Sequence, residues 1–487
     1  MQESGRSASW RSVIDDTSTS NWPRACGFLQ SRNSERVGPT SPVLIDTPEP
    51  FTDDGRGMSG HDADVVVVGA GIVGAAIAYY LARRGLRVVV VERASVAGEQ
   101  SRKNWGFVRQ QGRDPLEVPL VMEANRIWRG LERELDADVE WTAGGNLALA
   151  ADEARMARFE QWLPVAREFG LETRLLRGAD LKAVVPGLGG SWVGGMHTPG
   201  DGHADPEKTT DAFAKAARTH GATIQFDCAV QGVTTSAGAV SGVVTERGEI
   251  RASSVVCAAG AWSSRLMRTL GFALPQRWVR GTVARTTPAQ PITSCGVWGQ
   301  GVAFRQRRDG SFNIAAGGAL DHDVTLDSLR QVRFFLPNYW KNKALFRFHF
   351  GRPLLRSLCA ALPGSAARRR PLVWDRGVDP VANPAKVQRS LAELQRVLPE
   401  LPKLAVARSW AGYIDATPDL VPVLGEVPGL SGFVVATGFS GHGFAMGPIA
   451  GRLVSELIVD GKTSLDIAGF RFSRFAEGAI GQPRSVL

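Results

Sequence analysis

The alternation of apolar and polar positions divides the chain near residue 60. Residues 1–60 are rich in Ser, Thr, Pro, Asp and Arg and carry no sustained apolar period, so a disordered extension is expected there. Met58, just ahead of the first convincing strand, suggests that translation begins at that point. From Val65 to Ala82 runs an 18-residue stretch without a charge, in principle long enough to span a bilayer. Its first part is the β-branched run Val65-Val66-Val67-Val68, and glycines interrupt the remainder. The pattern therefore predicts a buried strand, a tight turn and a helix over Ala75–Arg84, with a second strand over Arg87–Val91. Later strands are predicted at Ala222–Val230, Val255–Ser263 and Gly432–Thr437, and helix-compatible sequence runs from Ala445 to Val459.

Composition places this pattern in a globular protein. The chain has 487 residues, 44% apolar and 22% charged, enough for about two to three domains. Its formal charge of +9 could signal an anionic partner, but Lys341, Lys343, Arg347, Arg352, Arg356, Arg368, Arg369 and Arg370 hold much of the excess in one stretch. That locality argues against a nucleic-acid footprint. Trp340, Leu345, Phe346, Phe348, Phe350, Leu354 and Leu355 are interleaved with these charges, so the stretch reads as a solvated face of the substrate domain, as a partner docking site or as a peripheral contact with the inner face of a membrane. Five cysteines without C-x-x-C spacing indicate neither a disulfide framework nor a zinc site, and no other metal site is indicated. With no apolar signal-peptide segment, a cytoplasmic location is expected.

The first motif that carries chemistry is Gly69-Ala70-Gly71-Ile72-Val73-Gly74, a G-x-G-x-x-G turn between strand and helix. Gly69 permits the tight turn, Gly71 lets backbone approach a pyrophosphate, and Gly74 lets the helix pack close to the strand. The N–H groups at the helix start, around Ile72 and Val73, then face the phosphates. Glu92 ends the second strand 18 residues after Gly74, where a carboxylate accepts from a ribose 2′-OH and disfavours a 2′-phosphate. Arg93 comes directly after it.

FAD and NAD share this signature, and three later segments favour the flavin. A polar loop holding Ser101, Arg102, Asn104, Trp105 and Gly106 is suited to phosphates and an isoalloxazine ring. Val230 ends one predicted strand, and Ala259, Gly260 and Trp262 end another in small residues that allow backbone close to a cofactor. The third segment is Gly438-Phe439-Ser440-Gly441-His442-Gly443-Phe444, a glycine-rich turn ahead of a helix whose positive end would stabilise charge on a reduced flavin.

Together, Gly69 to Gly74, Glu92, Val256 to Ser263, Trp410-Ala411-Gly412, Thr417-Pro418-Asp419 and Ala436 to Phe444 resemble the family of glycine oxidase, D-amino acid dehydrogenase and sarcosine oxidase. The resemblance covers roughly residues 62 to 475. It implies an α/β plus α+β architecture: an FAD-binding Rossmann-like domain of glutathione-reductase type and a substrate domain on an antiparallel sheet. The expected division puts 61–145, 205–275 and 405–475 in a noncontiguous FAD domain, 146–204 and 276–404 in the substrate domain, and 476–487 in a tail. The implied activity is oxidation of the C–N bond of an amino acid or secondary amine, with hydride passing to flavin N5. Oxygen, a quinone or an electron-transfer protein would reoxidise the flavin.

Two departures from the family pattern matter. Gly412 stands where some relatives tether the flavin through cysteine, and residues 98–112 hold no histidine that could do so, so FAD is expected to be noncovalent. Ile414 stands where relatives acting on primary D-amino acids carry an arginine for the substrate carboxylate, and an aliphatic side chain cannot form that bidentate pair. Either Arg305 or Arg307 holds a carboxylate, or the substrate is an amine without one. His442 and Tyr413 are the titratable candidates nearest the chemistry, His442 also as a plain hydrogen-bond partner of backbone or flavin. His203 reads as a loop histidine. The alternative function is a catalytically silent flavin-binding subunit of a larger oxidoreductase.

Overall fold

The computed structural model describes residues 62–299, 301–317, 320–342, 346–365, 372, 376 and 379–485. The expected extension over 1–60, the start at Met58, and Lys343, Leu345 and Arg368 to Arg370 lie outside the described residues. Two large sheets dominate the described chain. In the first, five parallel strands run in the order Phe433–Thr437, Gly248–Cys257, Ala63–Val68, Val88–Val91 and Thr223–Gln225, with Val423–Glu426 antiparallel at one edge. The valine run is central and buried on both faces, which is why it is unbroken by polar residues.

Helices Ile72–Arg83 and Gly443–Asp460 pack against each other across the length of the sequence. Their contact needs glycine: a Cβ at Gly447 would lie 2.7 Å from Ile72 Cγ1, and one at Gly451 would lie 2.6 Å from the Ala76 carbonyl carbon. A third helix, Val118–Leu135, is fixed to the same pair by Trp128, whose indole N–H donates to the Ala445 carbonyl at 2.9 Å.

The predicted strand at Ala222–Val230 is two strands. Thr223–Gln225 joins the parallel sheet; the chain then leaves it, with Asp227 left-handed at φ 48°. Asp227 and Cys228 donate to the Ala94 and Glu92 carbonyls, and the backbone re-enters at Val230–Ser236 as part of an antiparallel ribbon. Those loop bonds satisfy N–H groups that a continuous edge strand would have left unpaired. Likewise Val255–Ser263 ends as a strand at Cys257, and Gly260–Trp262 forms a 3₁₀ turn into helix Ser263–Thr269.

The second sheet has ten strands. Its order is Phe346–His349, Leu320–Asp323, Arg277–Thr286, Phe312–Ala316, Val302–Gln306, Gly296–Trp298, Asn146–Ala150, Gly194–Thr198 and Arg174–Leu176, with Val406–Ala416 also paired to Arg277–Thr286. The expected antiparallel sheet is thus mixed, because Gly296–Trp298 runs parallel to Asn146–Ala150, and Leu320–Asp323 parallel to Phe346–His349. A boundary also moves. Val406–Ala416, grouped above with the FAD segments, pairs along its whole length with Arg277–Thr286, so the chain returns to the first sheet only after Ala416. The C-terminal tail folds back on the 110–114 loop, where Arg484 pairs with Asp114 at 2.9 Å and Ser485 Oγ donates to the Gly112 carbonyl at 2.8 Å. Among the described residues no helix is long and apolar enough to cross a membrane.

Candidate functional site

A cavity of about 580 Å³ is lined by both sheets and by segments from both ends of the sequence. Gly69, Gly71, Ile72, Val73, Glu92, Arg93, Ser101, Asn104, Trp105, Gly106, Val230, Ala259, Gly260 and Trp262 lie on its wall, facing Ser440, Gly441, His442, Gly443 and Phe444. Gly74 and Gly438 stand behind the wall. A Cβ at Gly74 would lie 1.9 Å from the Gly69 carbonyl oxygen, so this glycine serves helix–strand packing. Arg102 turns away to line a separate cleft of about 110 Å³ with Asp205, Glu207 and Arg307.

The cradle fits a dinucleotide. Gly69 has φ 106°, and a Cβ there would lie 2.7 Å from the Ala258 carbonyl oxygen. Ser101 Oγ accepts from the Ile72 N–H at 2.8 Å, so the loop after the second strand is drawn onto the helix N-terminus. Glu92 is buried and its carboxyl is pushed up by burial; its oxygens accept from the Ala70 and Ala94 N–H groups, both at 2.8 Å, and each keeps a further lone pair for a ribose hydroxyl. Beside it the Arg93 guanidinium lies 3.9 Å over the Trp262 ring. Gly412 is closed to tethering side chains, since a Cβ there would meet Lys103 Cβ at 2.8 Å.

One carboxylate that the motifs did not single out joins the three segments. Asp415 is fully buried and accepts from Gln100 Nε2 at 2.9 Å, the Gly438 N–H at 2.9 Å and Gln276 Nε2 at 3.2 Å. The same Gln276 amide donates to the Gly260 carbonyl at 3.0 Å. The loop after the second strand, the Gly260 turn and the Gly438 turn are thereby held together. Asp415 sits two residues ahead of Thr417-Pro418-Asp419, and that position in the motif was the signal available.

The far end of the cavity is cationic and aromatic. Arg109 and Arg113, which the sequence pattern also does not mark, line it from buried positions that feel the buried carboxylates of Asp201 and Glu117. Burial pushes both guanidinium pKa values down, and for Arg109 the charge of Arg113 adds to this. Arg113 Nη1 is buried without a hydrogen-bond partner among the described residues. Trp105, Phe107 and Trp298 form the adjoining wall, with Trp105 and Trp298 centroids 4.8 Å apart and Arg109 5.1 Å over Trp298. His442 Nδ1 lies 3.2 Å from Glu117 Oε1. Burial first, then Arg113, push its imidazole down to about 4 against the opposing pull of Glu117, leaving it neutral at neutral pH. A neutral ring that donates Nδ1–H to Glu117 keeps a lone pair on Nε2.

The other candidates are placed differently. Tyr413 lines the cavity, but its hydroxyl donates to Asp323 at 3.3 Å and its ring packs 4.9 Å from that of Trp278. Ile414 is on the wall as a purely apolar surface. Arg305 is not on the wall. It lies behind the flavin loop, 1% exposed, donating Nε–H to the Trp105 carbonyl at 2.6 Å, and Gly106 has no Cβ because one would sit 2.7 Å from that Nε. His203, 3.0 Å from the Ser294 carbonyl and beside Arg305, is pushed down to about 3 by burial and that charge, so it is a neutral brace. Arg307 pairs with Asp205 at 2.5 Å in the separate cleft. Neither Arg305 nor Arg307 lies on the wall of this cavity.

A dinucleotide cradle completed by a glycine turn from the far end of the chain, beside a buried cationic chamber, defines a flavin-dependent oxidoreductase. A family model described as FAD dependent oxidoreductase (DAO) matches residues 64–457, and the chain belongs to this family, with FAD as its cofactor. Curated relatives include human mitochondrial sarcosine dehydrogenase, 26% identical over 439 residues, and Xenopus laevis FAD-dependent oxidoreductase domain-containing protein 1, 30% identical over 461 residues. These alignments take in 87% and 88% of this chain; the chain spans 42% of the sarcosine dehydrogenase, under half its length, and 85% of the Xenopus protein. Among solved structures, L-amino acid deaminase from Proteus vulgaris superposes with a TM-score of 0.80 at 27% identity, covering 88% of this chain and all of the other. L-proline dehydrogenase from P. horikoshii gives 0.69 at 25% identity, over 85% and 98% of the two chains.

Proposed function

We propose that this flavoprotein oxidises the C–N bond of an amino acid, primary or N-substituted, that carries a large apolar side chain. One observation carries the reading: Arg113 lies beside Arg109 on the wall of the FAD cavity, and its Nη1 has no hydrogen-bond partner among the described residues. Glu117 and Asp201 offset part of the charge of these two guanidinium groups, and a substrate carboxylate is the partner an amino acid would bring to the position that remains. That assignment takes over the role left open by Ile414. Trp105, Phe107 and Trp298 would enclose the side chain and keep water out.

FAD held by the Gly69–Gly74 turn, Glu92 and the Ser440–Phe444 turn would supply the two-electron acceptor for the hydride. Everything else falls to the chain. A carboxylate held by Arg109 and Arg113 fixes the Cα–H bond in one orientation. The nitrogen must be neutral to release electron density as the hydride leaves, and the cationic chamber disfavours its protonated form. Neutral His442, oriented by Glu117, offers Nε2 as a hydrogen-bond acceptor to an N–H of the neutral amine and positions it, while the proton that the nitrogen gives up passes to water. The substrate carbon loses hydride and its nitrogen a proton, giving an imine that water hydrolyses. The glutathione-reductase type of FAD domain belongs to the same reading, as do its segments 61–145, 205–275 and 417–475 with the remaining 146–204 and 276–416 as substrate domain. So does noncovalent FAD, supported by the Lys103 contact that fills the space beside Gly412.

The test is anaerobic mixing of the holoprotein with D- and L-phenylalanine, proline, N-methylated amino acids and the matching decarboxylated amines. Bleaching of the flavin absorbance by the amino acids, far weaker with the amines and weakened again in Arg113→Gln through KM, is expected. A flavin that stays yellow with every compound points to the catalytically silent subunit; equal bleaching by amines removes the carboxylate role.

A further inference from the structure

We propose that the face built from residues 329–342 and 346–362 is a docking surface for an anionic lipid bilayer. Between Arg330 and Leu362 the sequence holds seven Lys and Arg residues and no Asp or Glu. Of the fourteen exposed large apolar side chains among the described residues, nine fall here: Leu329, Val332, Leu336, Trp340, Phe348, Phe350, Leu355, Leu358 and Leu362. Elsewhere such residues are scattered singly, as on any soluble surface.

Their spacing is that of helices with one oily side. Val332, Leu336 and Trp340 recur every four residues along helix Val332–Asn342, and Trp340 is 64% exposed. In helix Arg352–Ala361 no residue is buried; Leu355 and Leu358 share a stripe that Leu362 extends past the helix end, with Arg352 and Arg356 alongside. Between the two helices Phe350 is 74% exposed. These pieces form one body. Leu326 of the short helix Leu326–Arg330 donates its N–H to Ser357 Oγ at 2.9 Å, and the Tyr339 and Phe348 rings lie 5.2 Å apart. An apolar stripe flanked by cations and free of acids is the composition that lies in a headgroup interface: the rings and leucines enter the acyl boundary and the cations meet lipid phosphates. A protein partner of the same apolar character would offer no acidic groups to the exposed cations Arg333, Arg347 and Arg352.

The surface is also wired to the flavin site. Gln331, between the two helical turns, accepts from the Gln276 N–H at 2.9 Å, and Gln276 is the residue that bonds Asp415 and the Gly260 carbonyl. Leu320, at the edge of the strand paired with Phe346–His349, lines the FAD cavity. A bilayer on this face would therefore lie against the cavity rim. The inference does not depend on the substrate class proposed above.

Flotation of the full-length holoprotein tests it, using phosphatidylcholine vesicles with and without about 30% phosphatidylglycerol. Co-flotation with the anionic vesicles only, lost at high salt, is expected. Trp340→Ser/Phe350→Ser should abolish it, and Arg333→Glu/Arg347→Glu/Arg352→Glu should weaken it by at least about tenfold, since each surface cation contributes roughly fivefold to partitioning. All of these side chains are exposed, so unchanged FAD content shows that the variants are folded. Absence of flotation, equal flotation with pure phosphatidylcholine, or a concentration-dependent dimer that both variant sets dissociate would overturn the proposal.

Discussion

His442 carries the most information of any single side chain in the cavity. Its ordinary value of 6.5 falls to about 4 because burial and Arg113 both oppose a second positive charge. In the unfolded chain the same imidazole takes its proton near 6.5. The stability it contributes is therefore complete above 6.5 and drains away as pH falls from there toward 4, by about 2 kcal/mol at pH 5. His442→Gln should lose about 2 kcal/mol less than the parent protein between pH 7 and pH 5, read from urea midpoints at both pH values; equal losses would mean that the imidazole is not held neutral by the fold. This residue was legible in the sequence through its glycine-rich turn. Arg109 and Arg113 were not, because arginines in a polar loop read as solvated, and only the fold reveals that the loop is roofed by Trp298 and the C-terminal helix. Arg305 shows the converse: in the sequence it stands out as a cation free to meet a carboxylate, but it is buried off the cavity wall with its Nε–H bracing Trp105.

At the level of elements, the features most visible in the sequence are those that local chemistry dictates. The valine strand, the glycine turn and the two apolar helices all depend on residues within a few positions of one another. The division of Ala222–Val230 was hidden because the bonds that break it, from Asp227 and Cys228 to Ala94 and Glu92, reach across more than a hundred residues. The contact between helices Ile72–Arg83 and Gly443–Asp460 shows the same limit, since Gly447 and Gly451 look like helix-weakening residues until the partner helix is in place. Gly451→Ala would put a methyl group 2.6–2.7 Å from Ala76, and neither helix can yield without moving the turn that bears it. A cost of about 1–3 kcal/mol is expected. Because the displaced helix starts at the cavity wall, FAD should also be lost on gel filtration. Gly461→Ala is the contrast: left-handed at φ 66° with nothing within 4 Å, it should cost about 1 kcal/mol and leave FAD in place. Equal FAD retention in the two variants would separate helix packing from cofactor binding.

On the scale of the whole molecule, the FAD cavity has no continuous stretch of chain to itself. Most of its wall comes from residues 68–113, 229–283 and 412–444, brought together by the parallel order of the first sheet and by Asp415, with Trp298 and Leu320 added from the second sheet. The glycine motifs announced that such segments exist, but spacing along a sequence cannot say that Val256 lies beside both Val67 and Val434. The consequence is thermodynamic. A ligand that touches all three segments binds only the folded state, so FAD should stabilise the protein by about 2.7 kcal/mol at one hundred times its Kd and by roughly 1.4 kcal/mol for each further tenfold. Apoprotein prepared by mild acid or high salt should therefore melt lower than the holoprotein, with a Tm that climbs with the logarithm of added FAD. The coupling also predicts where protection appears. Limited proteolysis of the apoprotein should cut the 98–113 loop and the 438–442 turn, and FAD should suppress both cuts over one concentration range, since Gln100 and Gly438 share Asp415. Protection of the first loop alone, with the C-terminal turn still cleaved at saturating FAD, would mean that the two ends of the sequence meet without sharing the cofactor.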